Sequence, residues 1–172
     1  MNIEECIKTR RSIRKFTGKD VTQETIREVI DMARFSPSWK NMQVVRYHII
    51  KNSEIKGKIA ENCVLGFDFN AKSIMRSNAL IIMSVIKEMS GYEKDGSFST
   101  SQQDRWEMFD AGVAAQTFCL AVHAKGVGSV ILGVFDEEKI QQYVDIPDDE
   151  RVTNLVAIGY PLEQLKSAPP RK

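Results

Sequence analysis

Three guanidiniums and a hydroxyl fall within five residues near the start of the chain, in Arg10-Arg11-Ser12-Ile13-Arg14-Lys15. In an extended segment Arg10, Ser12 and Arg14 alternate onto one side, which suits a phosphate gripped by several charge-assisted hydrogen bonds. A solvated basic patch complementing the end of a preceding helix is the more ordinary use of such a run. Spacing alone leaves both open. A second polar group is Ser36-Pro37-Ser38-Trp39-Lys40-Asn41-Met42-Gln43. Asn41 and Gln43 each offer an amide donor and a carbonyl acceptor, a pattern that matches the mixed edge of a pyrimidine-like ring. Plain turn chemistry, with Ser36-Pro37 ending a helix and Asn41 making a turn, uses the same residues.

Other chemistries lack their residues. Gly126-Val127-Gly128 starts like a dinucleotide-binding turn, but the third glycine position is Ile131 and a strand pattern follows. Gly18-Lys19 and Gly57-Lys58 are followed by Asp20 and Ile59, where a phosphate loop needs Ser or Thr. His48 and His123 stand 75 positions apart without a cysteine pair, so no metal site is expected. There is no Gly-x-Ser-x-Gly elbow, and Cys119 falls inside a long apolar helix pattern, as a buried structural thiol does. No catalytic side chain is nominated. Any hard chemistry falls to a cofactor.

The elements that must position these clusters alternate along the chain. Asn2 caps a short helix with Ile3, Cys6 and Ile7 on its apolar side. Thr22 caps a second, running to about Phe35 and stopped by Pro37, with Ile26, Val29, Ile30 and Ala33 on one face. Ser53 opens a weak helix to Asn62. The longest helix spans about Asp104 to Lys125, with Trp106, Phe109, Val113, Gln116 or Thr117, and Leu120 as its apolar side. Asp136 caps a last helix through Val144. Strands are predicted at Val44 to Lys51, Leu80 to Ile86, Gly128 to Val134 and Val152 to Ile158, the second of them covered on both faces. Ser90 to Ser101 reads as a mobile surface loop. Interleaved helices and strands give a layered α/β or α+β class.

Composition narrows the partners. At 172 residues, 42% hydrophobic and 27% charged, the chain fits one globular domain. Twenty-four basic against 23 acidic side chains leave a formal +1, which excludes a dedicated nucleic-acid or anionic-membrane binder. No run approaches the ~18 apolar residues of a membrane span. The acidic Met1-Asn2-Ile3-Glu4-Glu5 start lacks a signal peptide's apolar region. Cys6, Cys63 and Cys119, odd in number and far apart, point to a reducing, cytoplasmic setting.

Together with Gly126-Val127-Gly128-Ser129-Val130-Ile131-Leu132-Gly133, the two clusters resemble the nitroreductase family of flavin enzymes. The likeness spans nearly the whole chain. It takes in Arg10 to Phe16, Ser36 to Gln43, Asp110-Ala111-Gly112-Val113-Ala114-Ala115-Gln116, and Ile158-Gly159-Tyr160-Pro161 with the basic Pro-rich tail. The resemblance implies one α+β domain over residues 1–172, with a central mixed, largely antiparallel sheet flanked by helices on both faces, in a domain-interlocked homodimer. It also implies bound FMN, NAD(P)H as reductant, and a flat small-molecule electron acceptor such as a nitroaromatic or quinone.

By the same resemblance, Arg10, Ser12 and Arg14, with Arg11 alongside, hold the FMN phosphate and ribityl chain, and Arg171 or Lys172 closes that site. Pro37, Ser38 and Asn41 meet the flavin from the other subunit. Ile131, Leu132 and Gly133 turn backbone amides toward the ring near N5, and Asn70 stands at the ring edge. Phe67, Phe69, Trp106 and Phe109 are candidates for lining the acceptor site, with core packing as the plainer alternative. Two departures concern the substrate and the interface. The chain stops at Lys172 where many members carry a longer arm, and Ser90 to Ser101 is short beside members with a helical lid. A flavin-binding or redox-sensing protein without turnover is the alternative function.

Overall fold

The computed structural model describes residues 1–162, so Arg171 and Lys172 lie outside the described residues. Four strands form one sheet: β1 (Val45–Ile50), β2 (Ala79–Ile86), β3 (Gly128–Leu132) and β4 (Glu150–Gly159). Their order across the sheet is β1-β2-β4-β3, and every neighbouring pair is antiparallel. Among the described residues, the parallel component of the expected mixed sheet is a single bridge, Ser12 to Ser129.

Both faces of the sheet are covered, as the unbroken apolar run of β2 requires. Leu80 and Ile82 point to one side and pack with Ile59, Ile74 and Ile140 of α3 (Ser53–Asn62), α4 (Asp68–Arg76) and α6 (Glu137–Gln141). Ile81 and Met83 point to the other and meet Ile26, Val29 and Phe118 of α2 (Gln23–Ala33) and α5 (Arg105–Ala124). The alternation survives a bulge. Met83 pairs with Asn154 and Ser84 with Val152, leaving Thr153 as the extra residue, so Val152 and Leu155 share one face.

Local signals set most boundaries. Asn2 Oδ1 accepts the Glu5 amide and starts α1 (Ile3–Thr9), and Thr22 Oγ1 accepts the Thr25 amide at the start of α2. Helix α2 ends before Pro37, where Ser36 Oγ donates to the Ala33 carbonyl at 2.6 Å. Asn52, one residue earlier than expected, caps α3.

Three expectations change. The buried side of α5 is Ala111, Ala114, Ala115, Phe118, Cys119 and Val122, while Phe109 is 58% exposed and Trp106, Val113, Thr117 and Leu120 are half-buried. The helix is apolar on both sides, so periodicity does not choose between them. Packing does, because the alanine side lets the helix backbone approach the sheet. Helix α4 is unforeseen: Phe67 precedes it without a side-chain cap, and Asn70 and Ser73 on its buried side blur the apolar period. The Ser90 to Ser101 segment is built rather than loose. Ser90 is buried, and Tyr92 bridges Phe98 with ring centroids 4.9 Å apart.

Phe118 is fully buried against the sheet and stacks on Tyr47 at 5.6 Å. Phe118→Ala is expected to lower unfolding free energy by about 3–5 kcal/mol in urea denaturation, the cost of an aromatic-sized core cavity.

Candidate functional site

The basic cluster leaves the end of α1 as an extended segment laid on the sheet's β3 edge. Ile13 N–H donates to the Ser129 carbonyl at 2.9 Å and Thr17 N–H to the Tyr160 carbonyl at 2.8 Å, pinning the segment at both ends. Two glycines make room for it. A Cβ on Gly128 would stand 2.8 Å from Ile13 Cβ, and one on Gly159 would stand 2.8 Å from the Phe16 ring. With Ile13 and Phe16 turned inward, Ser12 and Arg14 are exposed and Arg10 is half-buried.

The alternation splits the cluster. Arg11 folds back, its Nη1 donating to the Lys8 and Arg10 carbonyls at 2.7 Å each, which is the ordinary helix-end role. Its Nε is buried without a partner among the described residues. None of Arg10, Arg11 and Arg14 forms an ion pair with a described residue, although most other cations near an acid do. Arg10 and Arg14, without counter-ions among the described residues and beside the exposed Ser12 hydroxyl, have the chemistry to take an anion.

Strand β3 leads from this cluster to a second group. Ile131 is 46% exposed on the open edge, the Leu132 side chain is buried in the core, and Gly133 is exposed with open space where a Cβ would be. Asn70 is buried on α4, and its Nδ2 donates to the Val134 carbonyl at 3.0 Å. The structure therefore brings Asn70 to the segment that holds Ile131, Leu132 and Gly133, although the two lie some sixty positions apart in the chain.

Pro37, Ser38 and Asn41 sit elsewhere. A single 3-10 turn, Trp39–Asn41, carries positive φ at Lys40 (43°) and Asn41 (57°), and Gln43 follows at 52°. Ser38 Oγ accepts the Gln43 amide at 2.8 Å, and Gln43 Nε2 donates to Asn41 Oδ1 at 3.2 Å, so the two amide side chains are already paired. The anchor of this turn is Asp110, a residue the sequence did not single out by itself. Its buried carboxylate accepts the Trp39 amide on both oxygens at 3.0 Å and the Ser90 hydroxyl at 2.5 Å. The signal was available: an acid at the alanine-side spacing of α5 must be satisfied by something. A cleft of about 180 Å³ opens beside it, lined among others by Pro37, Ser38, Gln43, Arg46 and Tyr47. Burial pushes the Tyr47 phenol up to about 12, so it remains a donor at neutral pH.

The two halves stand at opposite corners of the sheet. Ser129, beside Ser12, is level with Ala79, whereas Val45, just after the turn, is level with Val85. Six residues along the strands and three strand spacings across separate them by about 24 Å on the diagonal. Among the aromatic candidates, Trp106 joins Trp39 at 4.4 Å and Phe109 at 5.4 Å near the turn, while Phe67 and Phe69 pair at 5.7 Å around the start of α4.

The sequence model of the Nitroreductase family matches residues 7–73 and 65–160, nearly all of the described chain. The chain belongs to the nitroreductase family. It is a nitroreductase-type oxidoreductase by that membership. A relative from Methanothermobacter thermautotrophicus, provisionally named NADH dehydrogenase/NAD(P)H nitroreductase, is 30% identical over 95% of this chain and 79% of its own length. A nitroreductase family protein from Clostridium novyi NT is 27% identical, with a TM-score of 0.81 over 94% of this chain and 87% of that one. An FMN-dependent nitroreductase from Clostridium difficile R20291 shares the fold at 22% identity, with a TM-score of 0.78 over 97% of this chain and 92% of that one. Within the family's fold, the residues present fit a phosphorylated planar cofactor: guanidiniums without counter-ions among the described residues, an unobstructed edge at Gly133, and exposed amides on a stiff turn.

Asp110→Asn puts an N–H₂ group against donors that now share a carboxylate. Unfolding free energy is expected to fall by about 1–3 kcal/mol. Hydrogen exchange at the Trp39 amide is expected to speed up more than exchange in β2, because the turn loses its anchor.

Proposed function

We propose that this nitroreductase-family protein is an FMN-dependent oxidoreductase that uses NAD(P)H to reduce a flat acceptor such as a nitroaromatic or quinone. The observation that carries the reading is the outward set of Arg10, Ser12 and Arg14, held on the β3 edge without counter-ions among the described residues. Family membership and the FMN named for a protein of the same fold support it. When bound, FMN would supply the redox chemistry, hydride transfer between a reduced nicotinamide and the acceptor.

The chain's own residues bind and orient. Arg10 and Arg14 give the phosphate charge-assisted hydrogen bonds, the Ser12 hydroxyl adds one, and Arg171 in the tail is the proposed closing contact. Backbone amides along Ile131, Leu132 and Gly133 line the ring, and Asn70 fixes that segment through Val134. The positive charge of Arg10 and Arg14 and the backbone N–H donors of this segment would hold and orient an anionic cofactor. No side chain is assigned as catalytic acid or base.

Pro37, Ser38 and Asn41 come from a second copy of the chain, because their own corner of the sheet lies too far from the basic cluster. The unit is thus a homodimer with a cofactor at each shared site. Its setting is cytoplasmic, with Cys6, Cys63 and Cys119 free and buried. Among the described residues no helix is long and apolar enough to cross a membrane.

The purified protein is expected to be yellow with bound FMN and to oxidise NADH or NADPH steadily, faster when a quinone is added. A colourless protein without a thermal shift on FMN addition contradicts the reading, and bound FMN without oxidation favours a non-turnover flavoprotein. Losing a charge-assisted hydrogen bond costs about 1.5–3 kcal/mol, so Arg10→Ala with Arg14→Ala weakens FMN binding by at least about tenfold. Flavin occupancy unchanged in that double variant removes the phosphate assignment.

A further inference from the structure

The last turn of α5 carries a group that the reading above leaves unused. His123 Nε2 lies 2.8 Å from Oγ1 of Thr9, the residue that ends α1 and immediately precedes Arg10. Thr9 Oγ1 also lies 2.7 Å from the Glu5 carbonyl, which only accepts, so the hydroxyl proton is committed there. A hydroxyl has one proton to give. The contact with His123 therefore runs the other way, with Nε2–H donating to Thr9 Oγ1. That fixes the neutral ring as the Nε2–H tautomer and leaves Nδ1 without a proton.

The charges around the ring are unbalanced. From just beyond α1, Arg10 and Arg11 act on it together, and Glu5 of α1 opposes them. Lys125, two residues on, is neutralised by Glu28 of α2 at 2.6 Å. Cys6 and Cys119 are buried thiols held up by burial and carry no charge at neutral pH. Burial first, then the two guanidiniums, hold His123 below the ordinary imidazole range, so the ring is neutral at pH 7.

We propose that His123 is a positioning residue of the phosphate site, pinning Thr9 at the exit of α1 and taking up a proton when a phosphate settles on Arg10 and Arg14. The inference rests on the FMN reading. The bound phosphate offsets the guanidinium repulsion, the part of the cause that burial does not supply, so the ring's affinity for a proton rises on binding. Protonation adds a hydrogen at Nδ1 and leaves the Nε2–H donor in place, so the pin to Thr9 holds in both states. A group that gains proton affinity on binding makes binding tighter as pH falls through its titration. The phosphate's own titration pulls the opposite way, and it is common to every variant.

The test titrates FMN into the full-length protein and into His123→Gln, following flavin fluorescence from pH 6 to 8. Calorimetry in two buffers of different ionisation enthalpy counts the protons taken up. Glutamine places an N–H near the position of Nε2–H and cannot titrate. His123→Gln is expected to bind within about threefold of the wild type at pH 8, while the wild type gains roughly three- to tenfold over it by pH 6. Proton uptake on binding is larger in the wild type. His123→Ala, which loses the pin, binds more weakly at both ends of the range. Parallel pH profiles with equal proton uptake in wild type and His123→Gln overturn the inference while leaving the FMN site standing. FMN binding to neither protein overturns the cofactor reading instead. Should the variants not fold, the His123 ring resonance of the wild type serves: its titration midpoint moves up when FMN is added, and an unmoved midpoint overturns the inference.

Discussion

Strand order governs what this chain can do alone. In the order β1-β2-β4-β3 the two outermost strands are the first and third in sequence, and each edge is flanked by one polar cluster. The arginines follow the β3 edge at one end of the strands, and the amide-rich turn precedes β1 at the other. A sheet covered on both faces stands between them. No side-chain rotation spans a diagonal of about 24 Å. On the proposed reading, a cofactor that uses both clusters is shared with a second copy. The long outer side of α5, with exposed Phe109 and half-buried Trp106, Val113 and Leu120, offers apolar surface for such a copy.

Each cluster is held by a constraint that costs stability elsewhere. The extended arginine segment requires two strand residues without side chains, Gly128 and Gly159, so that Ile13 and Phe16 can close over the sheet's end. The turn requires a buried carboxylate, Asp110, whose acceptors are filled by the Trp39 amide and the Ser90 hydroxyl. One side chain thereby fixes both the turn and the start of the Ser90 to Ser101 segment on α5. A neighbouring acid acts in the same way. Glu107 is fully buried, accepts the Glu88 amide at 2.7 Å, and has Arg151 3.2 Å from its other oxygen. Burial raises its pKa, the cost of keeping a carboxylate under the loop.

The sequence disclosed the strands, most helices and both polar clusters because those signals are local: caps at Asn2 and Thr22, β-branched runs, and alternation around Ser12. Long-range choices were not legible in it. Nothing in the period of α5 says which apolar side faces the sheet, since close approach by Ala111, Ala114 and Ala115 is a packing effect. Helix α4 lacked a cap and hid its inner side behind Asn70 and Ser73. Alternation sets Arg11 apart from Arg10, Ser12 and Arg14, but only the fold shows its guanidinium turned back on the Lys8 carbonyl. His123 has no sequence signal that ties it to the basic cluster, and only the fold sets it beside Thr9.

The most direct test is complementation between two defective chains. One carries Arg10→Ala and Arg14→Ala, the other Ser38→Ala and Asn41→Ala, and differently tagged copies are purified as a mixed dimer. Each parental dimer is expected to bind FMN poorly at both sites. If every site takes its arginines from one copy and its turn from the other, the mixed dimer holds one fully intact site and binds one FMN with wild-type affinity. A mixed dimer that binds no better than either parent contradicts the account, because the cofactor would then sit within a single chain or not use these residues.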